Sequence, residues 1–403
     1  MTSLNEMYAN LTPPPTSVDH LVELPPKETF SDLVLDFLST LSEVLIQDRN
    51  ARNFPDLIEF AKWCRKSHLL FLKSRFFSQR DLRVGRGLIF HIAPSNVPLN
   101  FAYSLVSGLL AGNANIVRLP SPPFDQSIIL LKHIREVLQL KYFIELNSFI
   151  NLVTYPRESK YTEVYSKICD VRVIWGGDST INTVREYKIQ PKAFDITFPD
   201  RYSFSVIKSS EICKIKDLKK IVRNFYNDTF YTDQNACTSP HLIVWVGSDL
   251  DNRKAKRIFW DSLLFLVERK YKNDSNKTLT KLTKLYEYMS INPILSNLSS
   301  PQFDIVRIGL NDVVKNISDF KSSCGLFYEY ECDNLLSINK FITRKYQTLS
   351  YFGFEESTLR NFFELHQFLG VDRVVPIGKA QDFNLVWDGH NLISNMSRIV
   401  DFS

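Results

Sequence analysis

Gly87-Leu-Ile-Phe-His-Ile-Ala93 is a run of seven residues with no charge, bounded by Arg86 and by Pro94-Ser95-Asn96. A short, continuous apolar run closed by turn residues reads as a strand buried on both faces. The same signature returns at Asn115-Ile-Val-Arg-Leu119, at Ser148-Phe-Ile-Asn-Leu-Val-Thr154 and at Val171-Arg-Val-Ile-Trp175. Helical patterns fill the gaps. Leu99 to Leu110 is a helix closed by Gly112, which suits a left-handed cap. Asp125 can cap a helix that runs to Leu138, and Lys160–Ile168 is another. Asp178 or Ser179 can cap a helix reaching Tyr187. Strand–helix alternation of this length predicts a parallel, doubly wound α/β sheet.

Outward from this core the pattern changes. Residues 1–30 are irregular, with Pro13-Pro14-Pro15 and Pro25-Pro26 favouring extended chain. Helical stripes follow from Phe30 and over Pro55–Phe77. After Ala193–Phe198 and Ser203–Ile207 the alternation restarts. A helix over Ile215–Tyr231 precedes the loop Thr232–Pro240 and the strand His241–Val246. A long helix covers Asp251–Tyr271, and another ends at Met289. The predicted divisions are a helical segment 1–80, a domain 81–205, a second α/β domain 206–369, and a C-terminal segment 370–403 that packs back on the core.

The chain has 403 residues, six cysteines and 13 glycines. No G-x-G-x-x-G or G-x-x-x-x-G-K-[ST] occurs, so two common nucleotide cradles are absent. Without any C-x-x-C pair, a structural zinc site is not expected. Six cysteines in this length do not form a disulfide scaffold, and reduced thiols in the cytoplasm are expected. The apolar stretch Gly87–Val117 is broken by prolines and asparagines, and no transmembrane segment or export signal is read. A balance of 49 basic to 44 acidic residues, net +5, is too mild for a nucleic-acid partner. Basic residues gather at Arg253, Lys254, Lys256 and Arg257 and again from Arg269 to Lys284. They read as a solvated helix face or as an anion-attracting surface.

Four places can carry chemistry. Cys237, in Asp233-Gln-Asn-Ala-Cys-Thr-Ser-Pro240, is a cysteine in a polar loop between a helix and a buried strand. A reactive thiolate needs such exposure, whereas a structural thiol sits among apolar neighbours. Asn96 ends a strand on a rigid turn. It either closes that turn or offers its amide to an oxyanion. Gly176-Gly177 joins a strand to a helix start, as a plain turn or as a place where a phosphate meets backbone N–H groups. Arg118, at a strand end, is a phosphate anchor or an exposed charge. His91 and His241, each on a strand, read first as satisfied core histidines.

Several ordered motifs together resemble a known family. Phe90-His-Ile-Ala-Pro-Ser-Asn-Val-Pro98, Leu109–Ser121 and Gln234-Asn-Ala-Cys237 resemble the aldehyde dehydrogenase superfamily. Trp175-Gly-Gly-Asp178, Tyr346-Gln-Thr-Leu349, Gly370–Ala380 and Trp387-Asp-Gly389 narrow the resemblance to LuxC-type acyl-CoA reductases, the reductase component of long-chain fatty acid reductases. The similarity runs from about Val84 to the C-terminus. It implies an aldehyde dehydrogenase-like fold with a doubly wound cofactor-binding domain and an α/β catalytic domain. It implies NADPH-dependent reduction of a fatty acyl-CoA thioester to an aldehyde. An acyl-relay subunit served by an acyl-protein synthetase, or an NAD(P)-dependent aldehyde dehydrogenase, are the alternatives. By the same resemblance Cys237 is the nucleophile. Asn96, with the Cys237 N–H, is the oxyanion donor. Arg118, where a lysine is usual, would hold the adenosine ribose or its 2′-phosphate. Pro94, Ser121, Gly176 and Gly177 would lie beside the cofactor, no metal is implied, and a homo-oligomer is. One departure stands out. The glutamate motif of aldehyde dehydrogenases is replaced by Ile196-Thr-Phe-Pro-Asp-Arg-Tyr-Ser203, whose one carboxylate is Asp200.

Overall fold

The computed structural model describes Tyr8, Pro14 and residues 17–76, 82–121, 123–292, 297–299, 303–314 and 316–402. The chain forms two compact units, Met1–Pro199 with Leu385–Ser403, and Asp200–Asn384.

The first unit is built on a five-stranded sheet. Its strands are β2 (Leu88–Ile92), β3 (Ala114–Arg118), β4 (Ile150–Val153), β5 (Val171–Trp175) and β6 (Phe194–Phe198), after a short β1 (Leu82–Gly85). The spatial order is β4-β3-β2-β5-β6, and every pairing is parallel. The chain therefore starts at the centre, winds outward through β3 and β4, then crosses back to β5 on the other side of β2. This is the doubly wound topology that the alternation predicts, with its reversal between β2 and β5. All five residues of β2 are buried, as a central parallel strand requires. Three N-terminal helices, α1 (Asp32–Gln47), α2 (Pro55–Trp63) and α3 (Lys66–Phe76), belong to this unit. So do α4 (Asn100–Leu110), α5 (Asp125–Leu138), α6 (Tyr161–Ile168) and α7 (Asp178–Arg185).

Gly112 has φ +88, the left-handed cap expected of it. A Cβ there would lie 2.1 Å from the Lys27 carbonyl oxygen. That close approach lets the Lys27 N–H reach the Gly112 carbonyl at 2.8 Å. The Phe30 N–H likewise reaches the Leu110 carbonyl at 2.7 Å. The described N-terminal chain is thus bonded into the first unit at Lys27 and Phe30. Pro13, Pro15 and Phe77–Asp81 lie outside the described residues.

The second unit holds seven strands, β7 (Tyr202–Lys208), β8 (Pro240–Val246), β9 (Asn297–Ser299), β10 (Val306–Leu310), β11 (Leu326–Cys332), β12 (Tyr346–Phe352) and β13 (Arg373–Pro376). Their order is β13-β12-β7-β8-β11-β10-β9, and only the β9–β10 pairing is antiparallel. Again the first strand is central. Its helices include α8 (Ser209–Lys214), α9 (Lys219–Thr229), α10 (Asp249–Lys270), α11 (Ser275–Ile291) and α12 (Glu356–His366).

Several boundaries differ from the sequence reading. The division falls at Pro199/Asp200, not at 205/206, because β7 is paired on both sides inside the second sheet. The tail divides too. Residues 370–384 stay with the second unit through the β12–β13 pairing, and the chain from Leu385 returns to the first. There Ser397–Val400 pairs with β1. The helix expected over Pro55–Phe77 is two helices, and the His68 Nδ1 meets the Trp63 carbonyl at the break, 2.7 Å away. Neither Asp125 nor Asp178 is a cap. Each is the first residue of its helix, behind Phe124 and Gly177.

One buried charge holds the second unit from inside. Glu329, on β11, is 4% exposed. Its Oε1 accepts from Trp245 Nε1 at 2.9 Å and Trp260 Nε1 at 2.7 Å. Its Oε2 faces Lys256 Nζ at 3.5 Å and an Arg307 nitrogen at 3.6 Å. Removing the carboxylate strands two buried indole N–H groups and takes one anionic partner from Lys256 and from Arg307, which keep Glu331 and Ser299 Oγ respectively. Glu329→Ala should therefore lose about 3–5 kcal/mol in urea unfolding. Glu329→Gln keeps the Oε1 acceptor for both indoles and should lose clearly less. Equal losses in the two variants would contradict this account.

Candidate active site

Cys237 lies in the loop between α9 and β8. The loop begins with two left-handed residues in succession, Asp233 (φ 51) and Gln234 (φ 59). Such residues cost roughly 1–2 kcal/mol each unless glycine, so their surroundings must fix them. Gln234 is 1% exposed. Its Nε2 donates to the Leu326 carbonyl at 3.1 Å, the Pro240 carbonyl at 3.3 Å and Ser322 Oγ at 3.4 Å. Its Oε1 accepts the Gly325 N–H at 2.7 Å. Asp233 accepts from the Tyr271 hydroxyl and from Lys277 Nζ, and its carbonyl takes the Cys324 N–H at 3.0 Å.

Cys237 itself is half-buried, and none of the six cysteines is in a disulfide. Its carbonyl accepts from Ser203 Oγ at 2.6 Å. Ser203 Oγ in turn accepts the Thr348 N–H at 3.2 Å. After the cysteine come Thr238 and Ser239, both buried. The other five thiols are all pushed up by burial, Cys169 to about 12 and Cys332 to about 11.

In the first unit the remaining sequence-predicted residues share one edge. Pro94 and Asn96 follow β2, Arg118 ends β3, with Ser121 three residues on, and Gly176-Gly177 follows β5. These strands are neighbours and parallel, so all six residues sit at the carboxyl edge, where the winding reverses. Open α/β sheets bind ligands at that place. Asn96 is exposed on its turn. Arg118 is half-buried, its guanidinium 4.8 Å from the centre of the Tyr155 ring. Among the described residues no carboxylate is paired with it.

Gly177 is informative. Its φ of −65 and ψ of 164 suit any residue, and a Cβ there would meet nothing within 4 Å. Neither backbone conformation nor packing inside the unit calls for glycine. What the missing side chain preserves is open space before the first N–H groups of α7. Asp178 lies in that first turn.

The two histidines are core residues. His91 is fully buried, with Ser104 Oγ at 2.7 Å and Asn115 Oδ1 at 2.9 Å. Trp175 Nε1 donates to the same Ser104 at 2.9 Å, so β2, β3, β5 and α4 meet in one polar knot. Burial lowers the His91 pKa to about 4. His241, bonded to Ser322 Oγ at 2.8 Å, is lowered to about 3 by burial, aided by Lys321. Much of the basic run is already paired. Lys256 meets Glu329 and Glu331, Lys277 meets Asp233, Lys284 meets Glu287, and Lys281 is buried against backbone carbonyls. Arg253, Lys254 and Arg257 stay exposed on α10.

The sequence reading missed Ser203, Ser322, Asp228 and Gln381, which all hold the cysteine loop or its frame. A lone serine on a strand carries no local signal for such a role. Among the described residues, no group of three or more His, Cys, Asp or Glu side chains could hold a metal ion, and no helix is long and apolar enough to cross a membrane.

Comparison with known proteins gives concordant matches. The family model described as Acyl-CoA reductase (LuxC) matches residues 38–258, more than half of the chain. The long-chain acyl-protein thioester reductase of Vibrio harveyi is 23% identical over 327 residues, 79% of this chain and 64% of that protein. That of Photorhabdus laumondii is 23% identical over 324 residues, with 79% and 63% covered. The matched part is thus just under two thirds of these relatives' length. Among solved structures, a NAD-dependent benzaldehyde dehydrogenase from Corynebacterium glutamicum matches with TM-score 0.64 at 12% identity, covering 98% of this chain and 87% of that one. A proline utilization A protein from Corynebacterium freiburgense matches with TM-score 0.65 at 13% identity, covering 99% of this chain and 45% of that one. The fold is that of the aldehyde dehydrogenases.

The histidines make a pH prediction. Both are depressed in the folded chain, and an unfolded imidazole titrates near 6.5. Their contribution to stability is therefore whole above about pH 6.5 and is lost as pH falls toward 4, at up to about 1.4 kcal/mol per pH unit each. Urea unfolding from pH 7.5 down to 5 should show stability falling, and His91→Gln with His241→Gln should flatten that fall. Asp228, raised by burial to about 7, has the opposite sign, so the comparison is between variant and wild type. An unchanged slope in the double variant would refute the assignment.

Proposed function

The chain belongs to the LuxC family of acyl-CoA reductases, and from that premise we propose that it reduces a fatty acyl thioester to an aldehyde through an acyl-enzyme on Cys237, with NADPH as the reductant. One observation carries the choice of nucleophile. Cys237 is half-buried in a polar loop whose backbone Gln234 and Ser203 hold, so its thiol has both access and a fixed place.

The Cys237 thiolate attacks the thioester carbonyl. A new carbon–sulfur bond forms, the old one breaks, and the donor leaves as a thiolate. The backbone N–H of Cys237 stabilises the oxyanion, a role that the family resemblance assigns also to the side-chain amide of Asn96. The cofactor edge fits its role in two respects. Gly177 leaves space that a Cβ would fill, and Arg118 has no carboxylate partner among the described residues to neutralise it. Gly176 and Gly177 would face the pyrophosphate, with Pro94 and Ser121 alongside. Arg118, which can grip a phosphate with two N–H groups, favours NADPH over NADH. A bound nicotinamide would supply hydride to the acyl carbon. The tetrahedral alkoxide left on Cys237 then collapses, releasing aldehyde and restoring the thiolate, so no general acid is required for that step. Asp200, the carboxylate of the departed glutamate motif, is tied to Lys321 and is not set to activate water.

The names of the relatives favour an acyl-protein as donor. In that variant an acyl-protein synthetase loads Cys237, and exposed Arg253, Lys254 and Arg257 serve as its docking surface.

The test is NADPH oxidation by the purified protein with acyl-CoA of varied chain length. Oxidation with aldehyde release supports the reading. No oxidation at any length, alongside full activity on aldehyde plus NADP, overturns it. Cys237→Ala should abolish both acyl labelling and reduction, while Arg118→Ala should keep labelling and lose reduction. Gly177→Ala should leave the melting temperature unchanged but weaken NADPH binding about tenfold, on the order of 1.4 kcal/mol. Unaltered binding in that variant would return the two glycines to the role of a plain turn.

A further inference from the structure

Gln381 follows the motif Gly370–Ala380 and has no part in the chemistry so far. Its side-chain amide is fully engaged. Nε2 donates to Ser239 Oγ at 2.9 Å and to the Asp228 carbonyl at 3.0 Å. Oε1 accepts from Thr238 Oγ at 3.3 Å. One amide thus grips both residues that follow Cys237 and ties them to the last turn of α9.

The segment presenting Gln381 is itself clamped. Asp228 is 1% exposed. Its carboxylate accepts the Gly378 N–H at 2.6 Å and the Ala380 N–H at 3.1 Å. Arg373 takes the carbonyls, donating to Ala380 at 2.7 Å and to Lys379 at 2.9 Å. Gly378 has φ +97, and a Cβ there would lie 2.6 Å from Asn224 Cβ, so only glycine lets the segment lie this close to α9. On the other side Ser203 pins the Cys237 carbonyl. The peptide that follows the cysteine is therefore held at its carbonyl and through the side chains of the next two residues.

We infer that Gln381, docked by Asp228, is a positioning residue for Cys237: it fixes Thr238 and Ser239, and through them the angle at which the cysteine meets the acyl carbonyl. This rests on Cys237 being the nucleophile. Acyl transfer needs sulfur and oxyanion donor aligned together, and a misplacement of about 1 Å can cost about 100-fold. Alkylation by a small reagent needs the thiolate but no oxyanion donor. The ratio of the two rates therefore reports alignment, with thiolate content cancelled.

Asp228 makes the clamp sensitive to pH. Burial raises its carboxyl to about 7, against the two N–H bonds, with Asp382 raising it further and Arg373 lowering it. Protonation removes the charge and part of the acceptor capacity of the carboxylate, so the two N–H bonds weaken as pH falls through about 7.

The experiment measures, in the full chain, acylation of Cys237 by acyl-CoA and its alkylation by iodoacetamide, in wild type, Gln381→Leu, Gln381→Glu and Cys237→Ala. Gln381→Glu keeps the acceptor for Thr238 and loses both donors, and it decides the matter should Gln381→Leu fail to fold. The expected result is acylation slowed about tenfold or more with alkylation within about twofold. The acylation-to-alkylation ratio of wild type should also fall as pH drops through 7, and be flat in the variants. A wild-type ratio in the Gln381 variants overturns the inference, as does a parallel loss of both rates, which is the mark of a merely structural role. Acylation that persists in Cys237→Ala would instead overturn the nucleophile itself, and the inference with it.

Discussion

A single buried amide sets the geometry of the cysteine loop. Gln234 sits in a left-handed conformation that its side chain does not favour, inside the second unit, where it is buried away from bulk solvent. A buried polar group left unpaired costs about as much as the strain it would relieve. The strain persists at φ 59 and is offset because Gln234 bonds the start of β8, the start of β11 and the Ser322–Gly325 turn at once. Parallel pairing of β8 with β11 is what brings those groups within one side chain's reach. The loop is thus an outcome of sheet order, and its residues cannot be moved one at a time.

The two sheets solve a shared problem alike. Each chain segment begins in the middle, as β2 or β7, and adds strands on both sides. In the first unit this leaves a reversal between β2 and β5, and ligands of open α/β sheets bind at the carboxyl edge of such a reversal. Residues far apart in sequence, Asn96 and Gly177 among them, meet that edge because their strands are neighbours. The Trp175–Ser104–His91–Asn115 knot lies just beneath it. Its buried donors and acceptors are matched, so it stiffens the strands carrying the turns. His91 is best understood as part of this support.

Much of this was legible because the deciding signals were local. Val171–Trp175 was read to the residue, and β2, β3 and β4 to within two, since buried parallel strands are short, apolar and bounded by turn residues. Gly112 declared itself because a left-handed cap has one preferred occupant. Cys237 stood out through the polarity of its own loop. The misreadings are non-local. Ser203–Ile207 looks like the end of one alternation and is the centre of the next, which only its pairing with β8 and β12 reveals. Glu329 sits in a strand pattern that gives no hint of two tryptophans beneath it. The Gln381 clamp joins residues 142 and 153 positions apart, and no window of sequence contains both ends.

The lost glutamate motif bears on what kind of acyl-enzyme this loop would support. An acyl-cysteine is partitioned between water and reductant, and the faster step decides the product. Hydrolysis at neutral pH needs a base placed to take a proton from water, worth about 10²–10⁴ in rate. In Ile196–Ser203 the one carboxylate is engaged by Lys321, and an ion-paired carboxylate is a poorer base. Withholding that factor lengthens the life of the thioester without touching the acylation step, which depends on the thiolate and the oxyanion donors alone. On the proposed chemistry, then, selectivity for aldehyde over acid comes from a group that is absent, and the precision of the Cys237 peptide matters all the more, because alignment is the remaining way to make the acyl-enzyme quickly.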